Sequence, residues 1–442
     1  MLQEAVRTKQ FESLPKDDMF YGLRHPKGHE LVYGREADRR LFDVASDVLR
    51  RSDVAHSVNV ERVFKAIKAI IVERFIMTNI EPTLATVEKA FAAALKEARK
   101  ARADSRHLIP CQLMLVADPE NFAVGPVKFH NCVAFKPIAD ALLSDHRKAA
   151  AADGLTSVAD DVLGYYAKFT WVADVTVIGC DKETGGERAL QAVNAALDFL
   201  HIFFGHFHSH EMRMGGPGLD SEIRGMIEVR EGETSISYSR ASTSAVGFKE
   251  GWAGILNEPD SRELVASAGR AIEAITNPET ERPLGLRFIN SAAWHGQAVR
   301  ESSPAAAIIK SVSALESMVL TEKSSETARV VCERSAAMSY DPNGDARFDT
   351  LLEAMKDAYD LRSRLLHGTL SPYDPEVKMR RNEVLRVVER CLTNGLAMFD
   401  HEGLLDRPLT PKQLAGGLED LIASTRQIDS SRHPCDLELM SP

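Results

Sequence analysis

Arg362, Ser363, Arg364 and His367 fall within roughly two helical turns of one another, in the stretch Tyr359-Asp-Leu-Arg-Ser-Arg-Leu-Leu-His-Gly368. A histidine titrates near neutral pH and can take or give a proton. A guanidinium fork stabilises negative charge building on a phosphorus centre through charge-assisted hydrogen bonds. Together these residue types suit proton transfer at a phosphodiester, with no metal required. The spacing constrains which residues meet. An ideal helix separates Arg362 and His367 by about 140° and roughly 7.5 Å of rise. Arg364 and His367, three apart, share a face. Helix geometry therefore pairs His367 with Arg364, and only a loosened last turn and a long side chain bring Arg362 into reach.

The element that must hold these residues is legible upstream of them. Phe348, Leu351, Leu352, Met355, Ala358 and Tyr359 recur at helical spacing. His367 is the last periodic residue, and Gly368 is placed as its left-handed cap. Pro372 and Pro375 are expected to prevent an immediate restart. The group is thus predicted at the C-terminal end of a helix.

An Arg, a polar residue, three more residues and then a His, closing a helix in an α-helical C-terminal region, resembles the signature of the HEPN superfamily. With Tyr359 and Asp360 before it and Gly368 after it, the string is similar to the Apea-like HEPN branch. Arg362, Ser363 and His367 match the motif positions, and the resemblance covers roughly residues 285–425, about a third of the chain. It implies an all-α domain that cleaves RNA without a metal ion or other cofactor, as a toxin or phage-defence effector, with two motifs meeting at a dimer interface. Arg362 and His367 are then the catalytic pair, with Ser363 and Arg364 assisting. The partners expected are RNA, a second copy of the chain in a homodimer or higher homo-oligomer, and a phage-derived or other trigger sensed by the N-terminal part.

Blander readings stand beside this one. His367 at a helix end can simply hydrogen-bond the last carbonyls and complement the dipole. Arg364 can pair with Asp360 four residues earlier. Between residues 361 and 390 there are seven Lys/Arg against four Asp/Glu, which is either ordinary surface charge or a phosphate-contacting surface. A non-catalytic HEPN-like dimer that binds RNA or protein is the alternative function.

A second group is His201-Ile-Phe-Phe-Gly-His-Phe-His-Ser-His-Glu211. On a strand His206, His208 and His210 would line one face and invite a metal, and with it a hydrolase. No recognised ligand spacing follows, and the segment abuts Gly215-Gly-Pro-Gly218, so a helix end running into a polar loop is expected instead. That glycine loop lacks the Lys-Ser/Thr and the preceding strand of a phosphate-binding loop.

The rest of the chain bounds the reading. Its 442 residues predict two or three domains, and its 44% hydrophobic and 27% charged residues describe a globular protein. No apolar run suits a leader or a bilayer span, and six scattered cysteines fit a reducing cytoplasm. A net charge of −10 means that any nucleic-acid surface must be local.

The fold class expected is α+β. Residues 1–35 read as a polar arm, and residues 36–284 as a mixed α/β domain whose first part, 36–103, is a helical annex. Residues 285–425 read as an all-α bundle, and 426–442 as a tail. Helices are predicted at 36–51, 60–75, from Pro82 to about Ala103, from Glu187 to about Phe204 and at 263–275, with the 181–186 stretch before Glu187 a turn. Strands are predicted at Leu113–Ala117, Cys132–Phe135 and Trp171–Ile178, and a hairpin around Arg230-Glu-Gly-Glu.

Overall fold

The computed structural model describes residues 20–24, 30–76, 78, 80–152, 158–215, 222–230, 233–241, 248–322, 325–407 and 409–432. The architecture is α+β, as the residue pattern predicts: a five-stranded sheet in the N-terminal part and a run of helices in the C-terminal part. The chain divides into two compact units, Met1–Ser105 with Val177–Glu187, and Arg106–Thr176 with Arg188–Pro442.

In the first unit, β1 (Phe20–Arg24) and β2 (Glu30–Gly34) pair antiparallel, so the described part of the expected polar arm is a hairpin. Three helices follow: α1 (Arg35–Arg50), α2 (Val60–Ile71), extended by a π turn at Val72–Ile76, and α3 (Leu84–Lys100). Their apolar stripes meet in a core of Ala45, Leu49, Val63, Phe64, Ile67 and Ala94. Pro82 lies outside α3, which is opened instead by a reciprocal cap between Thr83 and Thr86.

The second unit is built around the sheet, whose strand order is β4-β5-β6-β3-β7. The strands are β3 (Ala103–Gln112), β4 (Asn121–Val124), β5 (Val127–Asn131), β6 (Trp171–Cys180) and β7 (Arg213–Met214). β6 lies where its β-branched and aromatic run predicts. The other two predicted strands are displaced. Leu113 and Met114 are buried but follow β3 rather than form it; the carbonyl of Met114 accepts from Thr170 and Trp171. Cys132-Val-Ala-Phe135 is the first turn of α4 (Cys132–Ala152), because Asn131 caps it by accepting from the Ala134 N–H at 2.8 Å. Likewise Asp181 caps α6 (Lys182–Phe204) by accepting from Thr184, so the predicted turn at 181–186 is helix; α5 (Val158–Tyr166) precedes it. β8 (Glu222–Arg230) and β9 (Glu233–Ala241) form the expected hairpin.

After the four-residue α7 (His206–Ser209) come α8 (Pro259–Thr276), α9 (Pro283–Val299), α10 (Pro304–Val319), α11 (Thr327–Ser339), α12 (Phe348–Leu366), α13 (Pro375–His401) and α14 (Pro411–Arg432). Ser303 caps α10, with Pro304 at its first position. Pro375 does not delay a restart: it is the first residue of α13, capped by Asp374. The long α13 is the centre of this region, with Val377, Val384, Leu385, Val388, Leu392, Leu396 and Phe399 buried, and it packs on α8, α9, α10, α11 and α12. Helix α14 runs on to Arg432, into the stretch expected to be tail. Most of the Gly215–Gly218 loop lies outside the described residues. Among the described residues, no helix is long and apolar enough to cross a membrane.

Candidate functional site

The group that opened the sequence reading sits where its helix ends. His367 is the C-cap of α12, and its backbone N–H bonds Ser363. Gly368 follows at φ +71°, the left-handed region in which a Cβ would be strained. The N–H groups of Thr369 and Leu370 then turn back onto the carbonyl of Arg364. Leu370 is buried with Ala358, Leu361 and Val377, which pins the loop to the core. The His367 side chain is exposed and has no hydrogen-bond partner among the described residues.

The arginines are held apart. Arg362 is half-buried and turns toward α10, where its Nη2 lies 3.4 Å from Glu316 Oε2. Tyr359 donates to Glu316 Oε1 at 3.0 Å, and its ring lies under the Arg362 guanidinium. Burial, then the Glu316 carboxylate, raise the Tyr359 phenol above its ordinary range. The Nε–H of Arg362 is buried without a partner among the described residues. Arg364 reaches across the loop instead, donating to both oxygens of Glu376 at 3.3 and 3.0 Å, with Asp360 at 3.7 Å. The Glu376 hydrogen bond raises the Arg364 pKa and keeps its charge occupied. Ser363 is half-buried on the last turn. One chain thus presents a lone accessible imidazole, with Arg362 and Arg364 each turned to a glutamate.

The histidine-rich segment is organised quite differently. It is helical, so His206, His208 and His210 do not share a face: His206 is buried and the other two are exposed. Among the described residues, no group of three or more His, Cys, Asp and Glu is arranged to hold a metal ion. Gly205, at φ +75°, turns the chain from α6 into α7 and aims the His206 N–H at Glu389 on α13. Glu389 Oε1 accepts from that N–H at 2.7 Å and from His206 Nδ1 at 2.9 Å, and lies 3.5 Å from Nε2 of the buried His295. Burial alone would raise the Glu389 carboxyl, but the hydrogen bonding from His206 and the nearby His295 imidazole outweigh it and hold it down to about 2.

Beside this lies a second buried chain of bonds. Arg300 Nη1 contacts Asp198 Oδ1 at 3.0 Å and His201 Nε2 at 2.8 Å, and His201 Nδ1 meets Ser209 Oγ at 3.0 Å. Arginine only donates, so His201 Nε2 accepts and its Nδ1–H donates to Ser209, which passes a bond to the Gly205 carbonyl. Burial, with the Arg300 charge, drives the His201 pKa well below its ordinary value, while burial pushes Asp198 up to about 7 against the pull of Arg300. Asp198 lies so close to Gly296 that a Cβ there would overlap its carboxyl oxygen.

Asp198, Arg300 and Glu389 were not singled out from the sequence. The one signal that could have found part of this cluster is the spacing of Asp198 and His201, three apart within the buried, largely apolar C-terminal half of α6. Comparison of the chain with family models, curated proteins and solved structures finds no match to any of them.

Proposed function

We propose that the chain is a metal-independent RNA endonuclease of the HEPN type, acting at the C-terminal end of α12 as a toxin or phage-defence effector. The observation that carries the reading is the accessible imidazole of His367, without a partner among the described residues and five residues beyond Arg362 at a capped helix end. In this reaction the 2′-oxygen attacks the adjacent phosphorus while the bond from phosphorus to the 5′-oxygen breaks. A base takes the 2′-hydroxyl proton, and an acid protonates the leaving 5′-oxygen. One imidazole cannot do both at once, so a second copy of the chain supplies the other. Arg362 stabilises the charge on the phosphorane oxygens; Ser363 and Arg364 assist.

A second reading has its own observation. Glu316 and Glu376 engage Arg362 and Arg364, which favours a non-catalytic dimer that binds RNA or protein.

The test is cleavage of a labelled RNA by purified protein, wild type against His367→Ala. The expected result is a loss of roughly 10²–10⁴-fold, with wild-type activity surviving EDTA and leaving a 2′,3′-cyclic phosphate. Magnesium-dependent cleavage to 5′-phosphate ends overturns the mechanism, and RNA binding without cleavage selects the second reading.

A further inference from the structure

The loop that joins α12 to α13 holds a side chain that its own fold does not use. Tyr373 is 93% exposed, the highest value among the large apolar and aromatic residues that stand out of the described surface. Yet its backbone is fixed. Tyr373 N–H donates to Ser371 Oγ at 3.3 Å, and Asp374 N–H to the Ser371 carbonyl at 3.0 Å. Asp374 then caps α13, Leu370 is anchored in the core, and Arg364 ties the start of the loop to Glu376 beyond it. A ring held out on an ordered loop gains no burial from folding, so its position calls for another occupant of its faces.

The charges around the loop narrow what that occupant is. Arg362, Arg364 and Arg380 are turned to Glu316, Glu376 and Asp357. Lys378, one turn into α13, is exposed and makes no ion pair among the described residues. The junction therefore offers an exposed π-face, one unpaired cation and, six residues before the ring, the unpaired His367. A face for stacking beside a cation for a phosphate is the combination that single-stranded nucleic acid requires.

We propose that Tyr373 is a stacking platform for an unpaired base next to the scissile phosphate, with Lys378 holding a neighbouring phosphate. The enzyme then selects single-stranded RNA, because a base within a duplex must first unpair and unstack before it can lie on the ring. This proposal rests on the ribonuclease reading of the same helix end.

The test uses full-length protein carrying His367→Ala, so that binding is read without cleavage, and a fluorescent single-stranded oligoribonucleotide. Adding Tyr373→Ala is expected to weaken binding by roughly 5- to 150-fold, Tyr373→Trp to keep it, and Lys378→Ala to weaken it less while flattening the salt dependence. The same oligonucleotide in a duplex should bind more weakly and be insensitive to Tyr373→Ala. Unchanged binding after Tyr373→Ala, or a loss that Trp does not restore, overturns the proposal and leaves the ribonuclease reading intact if wild type still cleaves. If wild type neither binds nor cleaves RNA, the ribonuclease reading falls first and takes the proposal with it. A change in sedimentation mass on Tyr373→Ala, with RNA affinity unaltered, makes the ring a contact between protein copies and also overturns it.

Discussion

Histidines stand in two contrasting settings in this chain, a buried group and the lone His367, and one helix carries an acid to each. Glu389 of α13 accepts from His206 and lies against His295, deep among α6, α7 and α9. Glu376, about 20 Å earlier along the same helix, is bonded by Arg364 at the foot of α12, beside the exposed His367. In the first place His201, His206 and His295 are enclosed, and the acids Asp198 and Glu389 are shifted in opposite directions by burial and bonding. In the second the imidazole faces solvent. A count of histidines favours the first region; access to a substrate favours the second. Buried, mutually bonded groups hold elements together, and a group that must reach a phosphodiester cannot be spent in that way.

The sharpest way to break the comparison is to remove Glu389. Glu389→Ala leaves His206 and His295 buried with no carboxylate to receive them, and is expected to destabilise the protein by about 3–5 kcal/mol. His367→Ala, at a solvent-facing cap with no partner, should stay within about 0.5 kcal/mol of wild type. Urea unfolding of both variants decides it. If the two midpoints shift equally, the regions do not differ in the way claimed.

Acid titration sharpens the same contrast. The Glu389 carboxyl is held down to about 2, against an ordinary 4.5. The unfolded chain therefore binds its proton first, and the stability from this group is complete above about pH 4.5 and lost as the pH falls toward about 2. The amount is on the order of 3 kcal/mol. Asp198 and His201 act with opposite signs. Asp198, raised to about 7, contributes stability that is lost as the pH rises through that value. His201, buried neutral, contributes stability that is lost as the pH falls below its ordinary 6.5. Just below the ordinary His value of 6.5, the folded protein keeps a proton on Asp198 and the unfolded chain keeps one on His201. The pair then leaves the bound-proton count unchanged. Unfolding free energy measured against pH should thus show a steep acid loss that begins only below about pH 4.5 and is reduced by Glu389→Gln. A decline already under way near pH 6, where the pair should cancel, would contradict the assigned charge states.

Legibility in the sequence followed how local each cause is. The end of α12 was readable because its determinants are contiguous: a periodic stripe from Phe348 to Tyr359, then His367 and a glycine. The buried cluster was not, because Asp198, His295 and Glu389 lie on three helices far apart in the chain, and only packing brings them together. Cys132–Phe135 misled because an apolar, β-rich run looks like a strand until the Asn131 side chain, a single hydrogen bond, starts a helix there. Asp181 misled in the same way: its cap outweighs Gly185 and Gly186, which argued for a turn. Pro375 was read for the bond it cannot make, whereas the first position of a helix asks for no such bond.

The smallest effect separates two arginines two residues apart. Arg364→Ala removes a forked bond to Glu376 and loosens the loop, but that guanidinium is already occupied by Glu376 and approached by Asp360. Arg362 makes one long contact with Glu316 through Nη2 and, its buried Nε–H aside, no other hydrogen bond among the described residues, so its remaining Nη donors are kept for an incoming phosphate. Arg362→Ala is expected to lower kcat by roughly 10²–10³-fold, and Arg362→Lys to restore only part, since an ammonium lacks the fork. Arg364→Ala should cost at least about tenfold less than Arg362→Ala, a gap of about 1.4 kcal/mol in the barrier. Single-turnover cleavage by the three variants measures that gap directly. If Arg364→Ala proves the more damaging, the face that Arg364 shares with His367 is the better guide to the site. The Glu376 bond would then be a resting contact that RNA displaces.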